Sequence, residues 1–439
     1  MTKQAKHPTY KITTLTGIAL VVANMIGTGA FTSLGFQLKD LQNPTVILIL
    51  WVVGGVVALS GAFSYAEIGT HIQKSGGEYA FLTKLFHPLV GYLSGWVSIT
   101  VGFAAPIALS AMAFVAYFPF FDLNPKLTSI IVVAVITGIH TRSLNVSSKF
   151  LNISTFLKIT LIIGLIGIGF WQAPSFDNAN LLSNADFSNL ISPAFAIALI
   201  YVSYSYSGWN AAAYITEEFI NPKKSLPIAL IGGTLLVTIL YTLLQYIFLK
   251  HVPIVELKGQ LNIGTIAMDK ILGEDFGKLF GLAISLLLVS GISAMVWVGS
   301  RVTSSIAKEH QFWSFFNSKK SNIPQRALWL QFCVSALLLI TGTFEQILIY
   351  CGVLLTLSSM VTVIGVFKLR NQNKNTKTNT YKSSLFPLFQ MVFIIVSLWM
   401  IVYAFINSPF ELLVGFGNIV LGLITFLVSN KMNTNLKIK

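Results

Sequence analysis

The stretch VVANMIGTGAFTSLG, Val21 to Gly35, decides how the chain is read. It begins as an apolar run of the kind that crosses a bilayer as a helix. It then meets Gly27-Thr28-Gly29 at mid-span. Each glycine costs about 1 kcal/mol against alanine in a helix interior. In hydrocarbon an unwound backbone also leaves polar groups unpaired, at several kcal/mol apiece. The triplet is therefore either a notch for close helix packing or a break that faces protein or a polar cavity.

The rest of the chain has the same apolar character. Its 439 residues are 54% hydrophobic and 10% charged, with a mean hydropathy of +0.74; a soluble domain carries about 25% charge. Apolar runs of about 20 residues suffice to cross a bilayer. Twelve follow one another, at 13–36, 45–69, 88–118, 127–140, 150–171, 190–216, 226–249, 276–302, 327–342, 346–367, 386–406 and 410–429, the fourth and ninth being short. The expectation is an all-α polytopic membrane protein with 12 transmembrane helices. It is read as a single domain over 1–439, because no polar stretch is long enough to fold separately. The basic start, Met1 to Lys11, leads into a span too long for a cleavable signal. The longest link on the side opposite the termini, near Lys250–Asp275, has room for a short surface helix.

The net charge of +14 is a topology signal. With the N-terminus cytoplasmic, 22 of the 29 lysines and arginines fall inside and six outside, leaving Lys158 within a span. Inside residues include Lys3, Lys6, Lys149, Lys319, Lys320, Lys377 and Lys439; outside, Asp122, Asp177 and Asp186 join the acidic excess. Positive residues gather on the cytoplasmic side, so both termini are placed there, in the cell (plasma) membrane. No nucleic-acid partner is implied; the lipid bilayer is. Cys333 and Cys351 lie in spans and read as small apolar packing residues. The external loops hold no cysteine, so no disulfide-linked subunit is expected. The sequons at Asn145 and Asn152 fall away from the outside.

Span six, IYVSYSYSGWNAAAYITEE from Ile200 to Glu218, places Ser203, Ser205, Ser207, Gly208 and Asn210 at mid-depth. That is too polar to face lipid. Spans one and six stand five helices apart, and five is odd, so the second unit enters from the opposite side. Paired interrupted segments in corresponding positions point to a transporter site built from inverted repeats. A broken helix exposes N–H groups on one side and C=O groups on the other. The first attracts a carboxylate and the second an ammonium. Two facing breaks therefore suit a zwitterion, such as an α-amino acid.

MIGTGAF (Met25–Phe31), SYAEIGTHIQKSGGEYAFL (Ser64–Leu82), YSGWNAAAYITEEFINPKKSLP (Tyr206–Pro227) and NIPQRALWLQ in the Arg301–Leu330 region resemble the amino acid–polyamine–organocation superfamily, especially its L-amino-acid-transporter-like permeases. The resemblance spans at least residues 15 to 370. It implies a LeuT-type fold, with a 5+5 inverted repeat (13–171 and 190–367), two C-terminal helices (386–429), and helices 1 and 6 discontinuous. It places the substrate carboxylate on the N–H groups of Thr28, Gly29 and Ala30. The ammonium would meet carbonyls of Met25 or Ile26 and of Tyr204, Ser205 or Ser207. Tyr204 matches an aromatic that closes over the substrate, and Asn210 matches an asparagine that hydrogen-bonds around the site. Their alternative role is interhelix packing. Three positions depart from the family pattern: Ala30 is small, Gln73 replaces a proline, and Lys308-Glu309-His310 replaces Arg-Glu-Gly. The small Ala30 would enlarge the pocket.

Lys158 is the one lysine deep in a span, and a charge there costs about 2.5 kcal/mol or more. It either snorkels to the headgroups or faces the first break. The resemblance implies the latter, as a fixed cation in place of a coupling sodium. Glu217, Glu218 and Glu67 lie at inner span ends and read as solvated salt-bridge or gate residues. No acidic residue lies deep in a span, which favours neutral L-amino acids over cationic amino acids or polyamines. Trp297, Ser290 and Ser293 on span eight either line the pocket or pack.

An intramembrane enzyme using Ser205 or Ser207 would need a nearby base. The six histidines sit at span ends or in loops, and neither a metal nor a cofactor is implied. A nutrient sensor would carry a longer tail. The reading is thus a transporter working by alternating access, with sodium-independent exchange (antiport) first and proton symport second.

Overall fold

The computed structural model describes residues 11–118, 120, 124–142, 148–174, 187–316, 323–374 and 380–438. Lys3, Lys6, Asp122, Asn145, Asp177, Asp186, Lys319, Lys320, Lys377 and Lys439 lie outside the described residues, as do the side chains of Lys149 and Asn152.

Helix lies within each of the twelve apolar windows, with non-helical residues at 26–28 and 206–210. The first holds α1 (Thr14–Met25), α2 (Gly29–Thr32) and α3 (Leu34–Gln37), and the second α4 (Pro44–His71). After the short α5 (Gly77–Leu85) come α6 (Pro88–Val97) and α7 (Ala104–Tyr117), joined by a wide π turn, then α8 (Pro125–Arg142) and α9 (Ser148–Trp171). The second half runs α10 (Pro193–Ser205), a 3₁₀ segment Ala211–Glu218, and α11 (Pro222–His251). The long outer link holds two short helices, α12 (Ile254–Leu257) and α13 (Ile263–Leu272). Then follow α14 (Glu274–Glu309), α15 (Gln325–Thr341), α16 (Phe344–Gln372), α17 (Leu388–Asn407) and α18 (Pro409–Ile438). Among the described residues, nine helical segments are long and apolar enough to cross a membrane, and α10 and α15 are shorter apolar helices. Among the described residues, the one β-type pairing is an isolated bridge from Ile12 to Phe219.

Helix starts follow local chemistry. Thr13, Asn43 and Ser192 accept backbone N–H groups of the first turns of α1, α4 and α10, and proline follows at the first position of the latter two. Thr343 and Gln346 form a capping box on α16. Such caps are worth about 1 kcal/mol each.

The most extensive packing is α4 against α11, followed by α1 against α11 and α7 against α14. At its centre Trp51, Tyr206 and Tyr241 pack ring on ring, with centroids 5.4 to 5.9 Å apart. The periphery is inverted relative to a soluble protein: Phe156, Ile163 and Phe170 on α9 and Ile395, Val402 and Phe405 on α17 are exposed. Apolar surface on this scale is an interaction face in water, and on apolar spans the partner is lipid.

Two ends of the bundle can be told apart. At the N-terminal end, Glu67 was expected to be solvated. It is instead 1% exposed and receives Nε and an Nη of Arg370 at 2.7 Å each, plus the Ser383 N–H at 2.7 Å. Burial requires that pairing, because a carboxylate stripped of water must recover its hydration from donors. At the opposite end, Lys39 reaches Glu345 at 2.6 Å, and Tyr201 donates to the same carboxylate at 2.7 Å. Of the cysteines, Cys351 is buried and Cys333 faces outward.

Removing the guanidinium should strand Glu67 inside the protein. Arg370→Ala is expected to cost about 3–5 kcal/mol, read as a lowered unfolding temperature in detergent; an unchanged temperature would refute the tie.

Candidate functional site

The helix that begins at Thr14 stops at Met25. Ile26 turns extended (φ −72°, ψ 91°), and helix resumes only at Gly29. The carbonyls this releases are taken by side chains from neighbouring helices. Tyr241 donates to Met25 O at 2.5 Å, Gln245 to Ala30 O at 2.9 Å, and Tyr117 to Phe31 O at 2.8 Å. Thr28 O is taken by Thr32 Oγ1 at 2.9 Å. Among the described residues, no acceptor pairs with the N–H groups of Thr28, Gly29 and Ala30.

The second interruption lies against the first. α10 ends at Ser205, and Gly208 takes a positive φ of 100° before the 3₁₀ segment starts. A Cβ on Gly208 would lie 2.8 Å from the Asn24 backbone, and one on Gly29 would lie 2.6 Å from Ser205 Cα. At Gly27 the nearest atom would be 3.9 Å away. Packing notch and break therefore coexist, with Gly29 as the close approach and Gly27 as the open side. Polar contacts cross the junction: Ser33 and Ser205 hydroxyls stand 3.0 Å apart, and Tyr204 Oη is 3.5 Å from Thr28 Oγ1. Gln37 donates to Ser33 at 3.0 Å and accepts from Trp51 Nε1 at 2.9 Å.

Beside the first break is a cavity of about 90 Å³. Asn24, Ile26, Gly27, Thr28 and Phe31 line one side of it; Ser110 and Lys158 line others, and α14 closes it with Ile284, Leu287, Leu288, Gly291, Ala294 and Met295. Lys158 therefore faces the break, not the lipid headgroups. Among the described residues its ammonium has neither a hydrogen-bond nor an ion-pair partner, and a Cβ on Gly291 would stand 3.8 Å from it. Lys158 is the one charged residue on the lining.

The structure sorts the sequence-derived candidates. Ile26, Thr28 and Lys158 meet at the cavity. Met25 and Ala30 are buried with their carbonyls engaged, and Ala30 is not on the lining, so its small size does not widen this cavity. Tyr204 and Ser205 are buried at the junction, and Ser207 is half-buried beyond it. Asn210 does not turn toward the first break: its amide donates to Glu78 at 2.6 Å. Trp297 lies off the lining beneath the Arg301 guanidinium, 4.0 Å from its ring centroid. Ser290 and Ser293 are off the lining too, with Ser293 2.9 Å from His140 Nε2. Glu217 and Glu218 are exposed. Tyr117, Tyr241, Gln245 and Glu78 were missed. For Tyr241 and Gln245 a signal existed: polar groups four residues apart in an apolar helix share one face.

Apolar helices with lipid-exposed outer faces, and two interrupted helices meeting inside, define a multi-pass membrane protein with its polar chemistry at the centre. The amino acid permease family matches residues 12–428, and the chain belongs to that family, a family of permeases and not of enzymes. Similar proteins include the mouse Asc-type amino acid transporter 1, 27% identical over 89% of this chain and 75% of that one. The human cystine/glutamate transporter is 27% identical over 92% and 82% of the two chains. The mouse large neutral amino acids transporter small subunit 2 is 28% identical over 87% and 75%. Amino acid transport is thus the activity of the family.

Gly29→Ala is expected to force α2 and α10 apart and cost about 1–3 kcal/mol, whereas Gly27→Ala should fold normally. Unfolding temperature and monodispersity of the two purified variants check this; equal behaviour would contradict the packing described.

Proposed function

We propose that the chain is a secondary transporter of neutral L-amino acids, working by alternating access between two faces of the plasma membrane. The observation that carries this reading is the unpartnered Lys158 ammonium beside the first break, in a cavity that is otherwise mostly apolar and bears no carboxylate. The N–H groups of Thr28, Gly29 and Ala30 would hold the substrate carboxylate. With Met25 O already engaged by Tyr241 and Tyr204 O by the Ser207 N–H, the ammonium falls to Ile26 O and to carbonyls of Ser205 or Ser207. Tyr204 acts as the gating residue at that site, while Asn210 is held away from it by Glu78 and Trp297 stands further off on α14. The similarity to a large neutral amino acids transporter supports a neutral substrate. The similarity to a cystine/glutamate transporter supports keeping acidic ones in the screen.

The proposed architecture is twelve crossings, with repeats 13–171 and 190–367, the pair 386–429 added, and both termini cytoplasmic. A fixed ammonium in place of a bound sodium supports sodium-independent exchange. The same titratable group, facing the cavity, supports proton symport as the second reading.

Reconstituted liposomes screened with labelled amino acids, varying internal substrate, sodium and pH in turn, test this directly. Uptake of neutral amino acids that needs internal substrate and ignores sodium is expected; no uptake or binding under any condition refutes the proposal. Lys158→Ala is expected to lower that uptake about tenfold, the scale of a coupling of roughly 1–3 kcal/mol; full uptake and exchange at every pH would remove Lys158 from the mechanism.

A further inference from the structure

Serine inside a helix commonly turns its hydroxyl back onto the carbonyl one turn earlier. Ser60, Ser64, Ser98 and Ser285 do so here, at 2.8 to 3.0 Å. Ser110 does not. It is 2% exposed and lies on the lining of the cavity beside the first break. Among the described residues its hydroxyl has no hydrogen-bond partner. It is also the one residue that α7 gives to that lining.

Two close approaches fix where Ser110 points. Tyr117, two turns further along and so on the same face of α7, donates to Phe31 O of the first interrupted helix at 2.8 Å. α7 also runs antiparallel to α14. A Cβ on Gly281 would lie 2.8 Å from Tyr117 O, and one on Gly299 would lie 2.8 Å from the Phe103 ring. Ser110 is midway between Phe103 and Tyr117, level with the stretch of α14 that gives Leu287, Leu288 and Gly291 to the cavity. The free hydroxyl therefore looks onto the first break from a wall that is otherwise apolar.

An amino acid held at the break by its carboxylate and ammonium turns its side chain into this cavity. A hydroxyl left unpaired once water is expelled costs about 1–3 kcal/mol, so a side chain able to pair with it is favoured. A site built to hydrogen-bond a substrate hydroxyl rejects the analogue lacking it far more strongly than an apolar pocket separates two hydrocarbons. One hydroxyl matches another, donating to it or accepting from it. A carboxamide brings two donors and an acceptor, more than Ser110 and its apolar surroundings supply. We propose that Ser110 reads the substrate side chain, and that the substrates are the β-hydroxy amino acids serine and threonine.

This inference rests on the proposed amino-acid site, and its test separates the two. Threonine and valine share a shape and differ by a hydroxyl in place of a methyl. Equilibrium binding of each to the purified protein should favour threonine about tenfold, which is ~1.4 kcal/mol. Ser110→Ala should weaken threonine about tenfold, hold valine within about twofold and keep the unfolding temperature, so that the preference disappears. Ser110→Cys, close in size but a weak donor, should fall between, and stands in should Ser110→Ala fail to fold. Lys158→Ala should weaken both amino acids alike. A threonine preference that survives at Ser110→Ala, one lost only at Lys158→Ala, or a preference for valine in the unaltered protein would overturn the role of Ser110 and leave neutral amino acid binding standing. Binding of neither amino acid would overturn the site and this inference together.

Discussion

Everything at the centre of this protein depends on satisfying a backbone that leaves the helix inside an apolar layer. The carbonyls freed at Met25, Ala30 and Phe31 cannot turn to water. They are taken instead by Tyr241, Gln245 and Tyr117, each carried on a continuous helix. The helices that look like passive walls, α7 and α11, are thus what makes the interruption tolerable. Their packing against α14 and α4 fixes where the freed groups point. The carbonyl side of the first break is largely closed by protein. Among the described residues the N–H side has no such partners, so the two sides of the break differ.

Charge is rationed by the same logic. Where the molecule needs permanence, a buried carboxylate meets a guanidinium in two parallel bonds, as Glu67 meets Arg370. Elsewhere ionised groups are held by neutral donors, as at Glu78, or lie near the surface, as at Glu309. Lys158 is a third case, a cation facing the cavity with no partner among the described residues. A group kept in that condition is costly in a membrane interior, and it stands beside the interrupted helix.

Much of this was legible in the residues. Apolar runs of the right length located the helices, because hydrocarbon thickness sets a length that composition alone reveals. Gly27-Thr28-Gly29 and the polar centre of span six marked both interruptions, because glycine and clustered polar groups weaken helix wherever they occur. What stayed hidden were partners. Asn210 looked like a site residue but turns to Glu78, 132 residues away in the chain, and Glu67 looked solvated until Arg370 was brought to it from α16. Trp297 and Ala30 are placed off the cavity by the rotation of their helices, which periodicity in a uniformly apolar span does not encode.

The sequence by itself determined a helical membrane protein, the positions of its two weak points and the presence of one deep lysine. Each of these follows from local composition measured against a solvent that cannot hydrogen-bond. The tertiary structure alone decided which face of each helix meets the breaks, and that Gly29 is a contact and Gly27 an opening. Those facts depend on pairs of residues distant in the chain, and in an apolar environment their choice is made by packing and by which donor reaches which acceptor.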